Sequence, residues 1–149
     1  MSDSTKNTSS NYNQCCRLLI VDDEKDLLFV YEKALKLVGM EISTFDNPDM
    51  AFKEFKKNPE MYRLLLTDMR MPSMNGYELI NKVKAIRPEI RTILISAYDI
   101  TQDEITRNLN PNIRIDGLIC KPIALERLRE IIIDVLKWIF DEPPTSSNC

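Results

Sequence analysis

The sequence predicts one α/β domain built on a doubly wound parallel sheet, and three observations carry that prediction. Short apolar runs alternate with amphipathic stretches along most of the chain. The central run Leu64-Leu65-Leu66-Thr67 shows no polar alternation, as expected of a strand buried on both faces. Several such runs end in a charged or hydroxyl residue followed at once by turn chemistry, and open α/β sheets gather their ligands at those strand ends. A length of 149 residues suits one domain with a substantial core.

Residues 1–15 are polar and rich in Ser, Thr and Asn, and read as a disordered tail. Arg17 to Val21 is the first strand. The helix after it carries Leu27, Tyr31, Ala34, Leu35 and Val38 on one stripe, with Gly39 placed to end it. Met40 to Phe45 is a second strand, containing the β-branched Ile42 and Thr44. Asp46-Asn47-Pro48 opens a helix to about Lys57, with Met50, Ala51, Phe52 and Phe55 as its apolar positions and Asn58-Pro59 as its stop. Leu64 to Thr67 is the third strand. The next helix runs from Gly76 to about Arg87 on Leu79, Ile80, Val83 and Ile86.

Thr92 to Ala97 is the fourth strand, and a weaker helix from about Thr101 to Leu109 stops before Pro111. Ile115 to Cys120 is the fifth strand. Lys121-Pro122 turns into the longest helix, Ile123 to about Phe140, on Leu125, Leu128, Ile132, Val135 and Ile139. Ile131, Ile133, Trp138 and Phe140 exceed one stripe and suit either core edge or a partner surface. The domain thus spans residues 16–140, and residues 141–149 form a short polar tail. Five strands alternating with five helices give an α/β fold. With right-handed crossovers, the flavodoxin-like strand order 2-1-3-4-5 is the expected topology.

Composition excludes several function classes. Twenty basic against 23 acidic residues leave a net charge of −3, which provides no electrostatic footprint for nucleic acid or an anionic membrane. The chain has no histidine, which removes imidazole bases, imidazole metal ligands and a phosphohistidine carrier role. No apolar run approaches the roughly 20 residues needed to span a bilayer. With no signal-peptide pattern, the default location is cytoplasmic. Cys15, Cys16, Cys120 and Cys149 match no zinc spacing and are expected to be reduced thiols.

In the expected topology Asp22, Asp23 and Asp68 converge at one sheet edge, beside Ser96 and Lys121. Three carboxylates in one crevice disfavour one another's ionisation, and Mg²⁺, which takes oxygen ligands, resolves that repulsion. The Lys121 charge and the Ser96 hydroxyl suit the oxygens of a phosphoryl group. Blander readings exist for each residue. The run Asp22-Asp23-Glu24 could merely favour a helix N-terminus, Ser96 could satisfy a strand end, and Lys121 could be a solvated turn residue.

The motifs Leu19-Ile20-Val21-Asp22-Asp23-Glu24, Thr67-Asp68-Met69-Arg70-Met71-Pro72-Ser73-Met74-Asn75-Gly76, Ser96-Ala97 and Lys121-Pro122 stand in order at strand ends. Together they resemble the receiver domain of two-component response regulators, in its stand-alone chemotaxis-regulator-like form, over about Cys16 to Phe140. The resemblance implies that Asp68 accepts a phosphoryl group from a sensor histidine kinase or a His phosphotransfer protein. It implies Mg²⁺ as cofactor, held by Asp23 directly, Asp22 largely through water, Asp68, and the backbone carbonyl of Arg70. It further implies that Lys121 pairs with the phosphoryl group, that Lys121–Pro122 is cis, and that Ser96 is the hydroxyl switch residue. The switched surface would be helix four, strand five and helix five, docking a downstream protein. No direct nucleic-acid or membrane partner is implied, and the chain would be a monomer or a phosphorylation-linked dimer.

Two departures from the family pattern touch the output side. The place of the usual aromatic on strand five holds Leu118, and the interval from Ser96 to Lys121 is longer than usual, with the extra residues in Asn108 to Asn112. Arg70 and Tyr98 flank the expected water route to the phosphoryl group. Two other function classes stand beside the signalling switch. One is a receiver-fold interaction module that needs no phosphorylation. The other is a Mg²⁺-dependent phosphotransferase or phosphatase, which the lack of a pocket-forming insertion and of an acid at Arg70 disfavours.

Overall fold

The structure, a computed structural model, describes residues 17–36 and 40–137. Its strands are β1 (Arg17–Val21), β2 (Glu41–Phe45), β3 (Tyr62–Asp68), β4 (Arg91–Ser96) and β5 (Gly117–Cys120). All pair parallel, in the order β2-β1-β3-β4-β5. The helices are α1 (Lys25–Lys36), α2 (Pro48–Lys57), α3 (Gly76–Ile86), α4 (Gln102–Asn108) and α5 (Leu125–Lys137), with a 3₁₀ turn at Pro59–Met61. The predicted fold class and strand order are therefore observed.

Alternation along the strands divides the core into two layers. Leu18, Ile20, Leu64, Leu66, Ile93, Ile95 and Ile119 face α1 and α5. Leu19, Val21, Leu65 and Leu94 face the opposite layer, built from α2, α3 and Ile105 of α4. Leu64, Leu65 and Leu66 are all fully buried, which is why that run carries no polar residue. Truncating any of them to Ala removes about 2–5 kcal/mol of stability.

Local chemistry sets the helix starts. Asn47 accepts from Met50 N at 3.0 Å, with Pro48 in the first turn. Asn75 and Glu78 form a reciprocal capping box at α3. Thr101 accepts from Glu104 N at 3.1 Å to start α4. That helix is short, as the longer interval predicts. Beyond it the chain is tied to α3, where Asn81 donates to Asn108 O at 3.0 Å and accepts from Asn110 N at 2.9 Å.

Several expectations are corrected. β3 begins at Tyr62, whose buried ring meets Phe55 at 5.8 Å, so the strand is longer than its leucine run. β5 begins only at Gly117, because Asp116 turns the chain: its N–H donates to Thr92 O at 2.7 Å and its carboxylate accepts from Thr92 N at 2.9 Å. α5 begins at Leu125 rather than Ile123. Met50 and Ile86, expected on apolar faces, are 55% and 42% exposed, Met50 in the first turn of α2 and Ile86 at the last position of α3. Leu28 rather than Leu27 is buried in the first turns of α1, and Ile131 lies in the core. Cys120 is disulfide-bonded, against the expectation of a reduced thiol. The two tails, Val38, Gly39, Trp138, Ile139, Phe140, Cys15, Cys16 and Cys149 lie outside the described residues.

Candidate functional site

The register brings the C-terminal ends of β1, β3, β4 and β5 to one edge, with Val21 opposite Thr67, Asp68 opposite Ile95 and Ser96 opposite Cys120. Each site residue is then held through backbone. Asp22 N donates to Phe45 O at 3.1 Å, Met69 N to Ile95 O at 2.8 Å, and Lys121 N to Ser96 O at 2.8 Å. The Asp22 carboxylate accepts from Glu24 N at 2.9 Å, turning the chain so that Asp23 and Glu24 face outward.

The loop after Asp68 folds back tightly. Gly76 N donates to Met69 O at 2.8 Å, and a Cβ on Gly76 would stand 2.6 Å from the Asp68 carbonyl oxygen. Ser73, at φ 71, is pinned by its hydroxyl donating to Asp49 Oδ2 at 2.7 Å. The Lys121–Pro122 bond is cis, as the resemblance implies.

Lys121 Nζ sits at the centre. It lies 3.2 Å from Asp22 Oδ2, 3.3 Å from Asp68 Oδ1 and 3.5 Å from Glu24 Oε1. Asp22, Asp23 and Asp68 each offer a carboxylate oxygen within 4.8 Å of the others. These groups open on a cleft of about 300 Å³ whose walls include Ser96, Arg70 and Tyr98. Ser96 Oγ accepts from Tyr98 N at 2.9 Å, leaving its hydroxyl proton free to be donated elsewhere. The Arg70 guanidinium stacks over the Tyr98 ring at 4.4 Å.

Burial pushes the Asp68 carboxyl up to about 6, with the Asp22 charge adding to it and Lys121 opposing. Asp22 is raised too, by burial first, against the Glu24 N–H and Lys121. Burial works to lower Lys121, but Asp22 and Asp68 outweigh it and hold the ammonium well above its usual range. Even Tyr31 is pushed up to about 12, by burial and then by the field of Asp22. One ammonium therefore leaves the acids undercompensated. Their all-oxygen donor set fits a hard divalent cation such as Mg²⁺, which that excess of negative charge favours.

The structure thus brings together Asp22, Asp23, Asp68, Ser96 and Lys121, with Arg70 on the cleft wall. Sequence reasoning missed two residues. Glu24 was visible only as part of an acidic run, and nothing there pointed to Lys121 as its partner. Gly76 was visible as a turn signal, whereas its role is close approach of α3 to the Asp68 carbonyl. Leu118 pairs with Leu94 and packs against the core as a partly buried apolar residue. Among the described residues no helix is long and apolar enough to cross a membrane.

The family model for the response regulator receiver domain matches residues 18–133. The two-component response regulator ARR14 of Arabidopsis thaliana is 32% identical over 115 residues, covering 77% of this chain and 29% of that protein. The response regulator receiver protein CpdR of Brucella abortus is 33% identical over 82 residues, 55% of this chain and 67% of CpdR. This chain therefore spans under a third of the Arabidopsis protein's length. A CheY-like receiver domain protein of Methanospirillum hungatei superposes with a TM-score of 0.71 at 27% identity, covering 82% of this chain and 94% of that one. The response regulator TrrA of Thermotoga maritima, solved in complex with Mg²⁺ and BeF, superposes with a TM-score of 0.68 at 25% identity, covering 80% and 97%.

Proposed function

Because the chain belongs to the response regulator receiver domain family of two-component signalling, we propose that it is a switch phosphorylated on Asp68. The single observation that carries this reading is the Lys121 ammonium set between Asp22 and Asp68, with Asp23 beside them. Asp22, Asp23, Asp68 and the Arg70 carbonyl would hold Mg²⁺. When bound, the ion supplies neutralisation of charge shared between carboxylate and phosphoryl oxygens.

This chain's own residues do the rest. The Asp68 carboxylate attacks phosphorus, and the donor's imidazole leaves with the electrons of its bond to phosphorus. The donor would be a phosphohistidine on a sensor kinase or a His phosphotransfer protein, as membership of the receiver family implies. Lys121 pairs with a phosphoryl oxygen, and the Ser96 hydroxyl donates a hydrogen bond to another. Movement of Ser96 draws the loop from Ala97 to Thr101 and shifts the population of α4–β5–α5 surfaces that a downstream protein reads. Leu118 has no polar tip to turn between water and core, so this surface changes without an aromatic rotamer switch. Support for Mg²⁺ comes from the carboxylate cluster and from the Mg²⁺–BeF complex of TrrA.

Intact-mass spectrometry after incubation with acetyl phosphate and Mg²⁺ tests the proposal. One phosphoryl adduct is expected that requires Mg²⁺, is lost with hydroxylamine, and is absent in Asp68→Ala. No adduct, together with no beryllofluoride binding, would instead favour a module that works without phosphorylation.

A further inference from the structure

Three carboxylates crowd the Lys121 ammonium in the resting protein: Asp22 accepts a hydrogen bond at 3.2 Å, and Asp68 and Glu24 are ion-paired at 3.3 Å and 3.5 Å. A phosphoryl oxygen approaching the ammonium therefore competes with these carboxylates for its charge. Asp22 is the least available, since its side chain is 2% exposed and also accepts from Glu24 N. Asp68 is the group that reacts in the proposed function, and its side chain is 10% exposed. Glu24 differs from both. Its side chain is 63% exposed, so its carboxylate regains water when it lets go. It also lines the cleft by which a phosphodonor would arrive.

We propose that Glu24 is a positioning residue that occupies the phosphoryl seat on Lys121 at rest, so that Lys121 exchanges Glu24 for the phosphoryl group. The inference rests on the phosphoacceptor reading of Asp68. With acetyl phosphate as the small donor, a bond forms from an Asp68 carboxylate oxygen to phosphorus as the donor's phosphorus–oxygen bond breaks and acetate leaves with the electron pair. No proton moves. Glu24 releases Lys121, and a phosphoryl oxygen takes its place beside the ammonium. Glu24 thereby sets the threshold for small donors, because its carboxylate holds the lysine and repels an incoming dianion.

The test uses the full chain as wild type, Glu24→Gln and Glu24→Asp, with acetyl phosphate at saturating Mg²⁺ and timed intact-mass spectra. Glu24→Gln is expected to be phosphorylated about 3–10-fold faster, the size of one screened charge on a nearby dianion. Glu24→Asp keeps the charge but is one methylene shorter, so it is expected to keep at least half of that gain. A readout independent of turnover is the Lys121 ammonium resonance in ¹⁵N NMR of the Mg²⁺-free protein, which is expected to shift in both variants. An unchanged or slower rate in Glu24→Gln, or an unmoved resonance, overturns the exchange. A fast Glu24→Gln with Glu24→Asp at the wild-type rate also overturns it, because only the field of the carboxylate would then matter. If the wild type forms no Asp68 adduct, the phosphoacceptor reading itself fails, a result distinguishable from all of these.

Discussion

Gly76→Ala tests how tightly α3 is seated against the site. The added Cβ would meet the Asp68 carbonyl oxygen at 2.6 Å, Leu94 Cδ1 at 2.7 Å and Met69 Cα at 3.1 Å. The leucine methyl can yield, but the other two contacts are backbone of the strand end that carries Asp68. The helix N-terminus must therefore lift, stretching the Gly76 N to Met69 O hydrogen bond from its 2.8 Å. Overpacking of this kind costs about 1–3 kcal/mol, and weakening the bond adds about 1 kcal/mol. Alanine's better helix propensity returns at most about 1 kcal/mol, so a net loss of about 1–3 kcal/mol is expected. Urea unfolding measures it as a lowered midpoint at unchanged slope. Beryllofluoride binding should weaken in parallel, because the shift falls on the Asp68 backbone. An unfolding free energy within about 0.5 kcal/mol of wild type would refute the crowding argument.

Asp68 also makes stability depend on pH. Its folded-state value of about 6 lies above the ordinary 3.8, so the folded, Mg²⁺-free protein binds that proton more tightly than the unfolded chain. The resulting stabilisation is complete below about pH 4 and is lost as pH rises through about 6, by roughly 3 kcal/mol. Relative to wild type, Asp68→Asn should gain stability across that window in Mg²⁺-free urea titrations; a pH-independent difference would contradict the cause assigned. Mg²⁺ at a hundred times its dissociation constant should stabilise wild type by about 2.7 kcal/mol and Asp68→Ala far less, and equal stabilisation of both would place the ion elsewhere. The Arg70–Tyr98 stack at the cleft wall should slow attack of water on a phosphorylated Asp68. Arg70→Ala and Tyr98→Ala are accordingly expected to shorten the phosphorylated half-life several-fold, and an unchanged half-life would remove that role.

Much of this fold was legible in the chain because its signals are local. The uninterrupted Leu64-Leu65-Leu66 could only be buried on both faces, and the strand-end residues declared the edge at which Asp22, Asp68, Ser96 and Lys121 meet. Periodicity locates helix faces but not which residues at a helix end meet the core, and Met50 and Ile86 sit on apolar stripes yet are exposed. The late start of β5 depends on Asp116 meeting Thr92 across strands, a contact that no run of adjacent residues encodes. Glu24 and Gly76 illustrate the same limit at the site. The first matters through a lysine at the far end of the chain, and the second through a carbonyl oxygen 2.6 Å from an atom it lacks.

The site divides into a fixed floor and an adaptable rim, and the division has a physical origin. Asp22 and Asp68 are 1% and 8% exposed, and backbone hydrogen bonds between neighbouring strands hold them in place. Burial at the strand ends comes first in raising both carboxyls, and the Asp22 charge adds to it at Asp68, so the raised values are a property of the sheet rather than of the residues alone. Glu24, Arg70 and Tyr98 sit on exposed turns and can move at little cost. Substitution in the floor should therefore alter whether phosphorylation occurs at all. Substitution in the rim should alter only how fast the group arrives and how long it stays. The in-register pairing of Asp68 with Ile95, one residue before Ser96, places floor and switch loop on adjacent strands. In the proposed switch, a charge added at Asp68 would reach the loop after β4 across a single strand spacing, and the rim would set its timing.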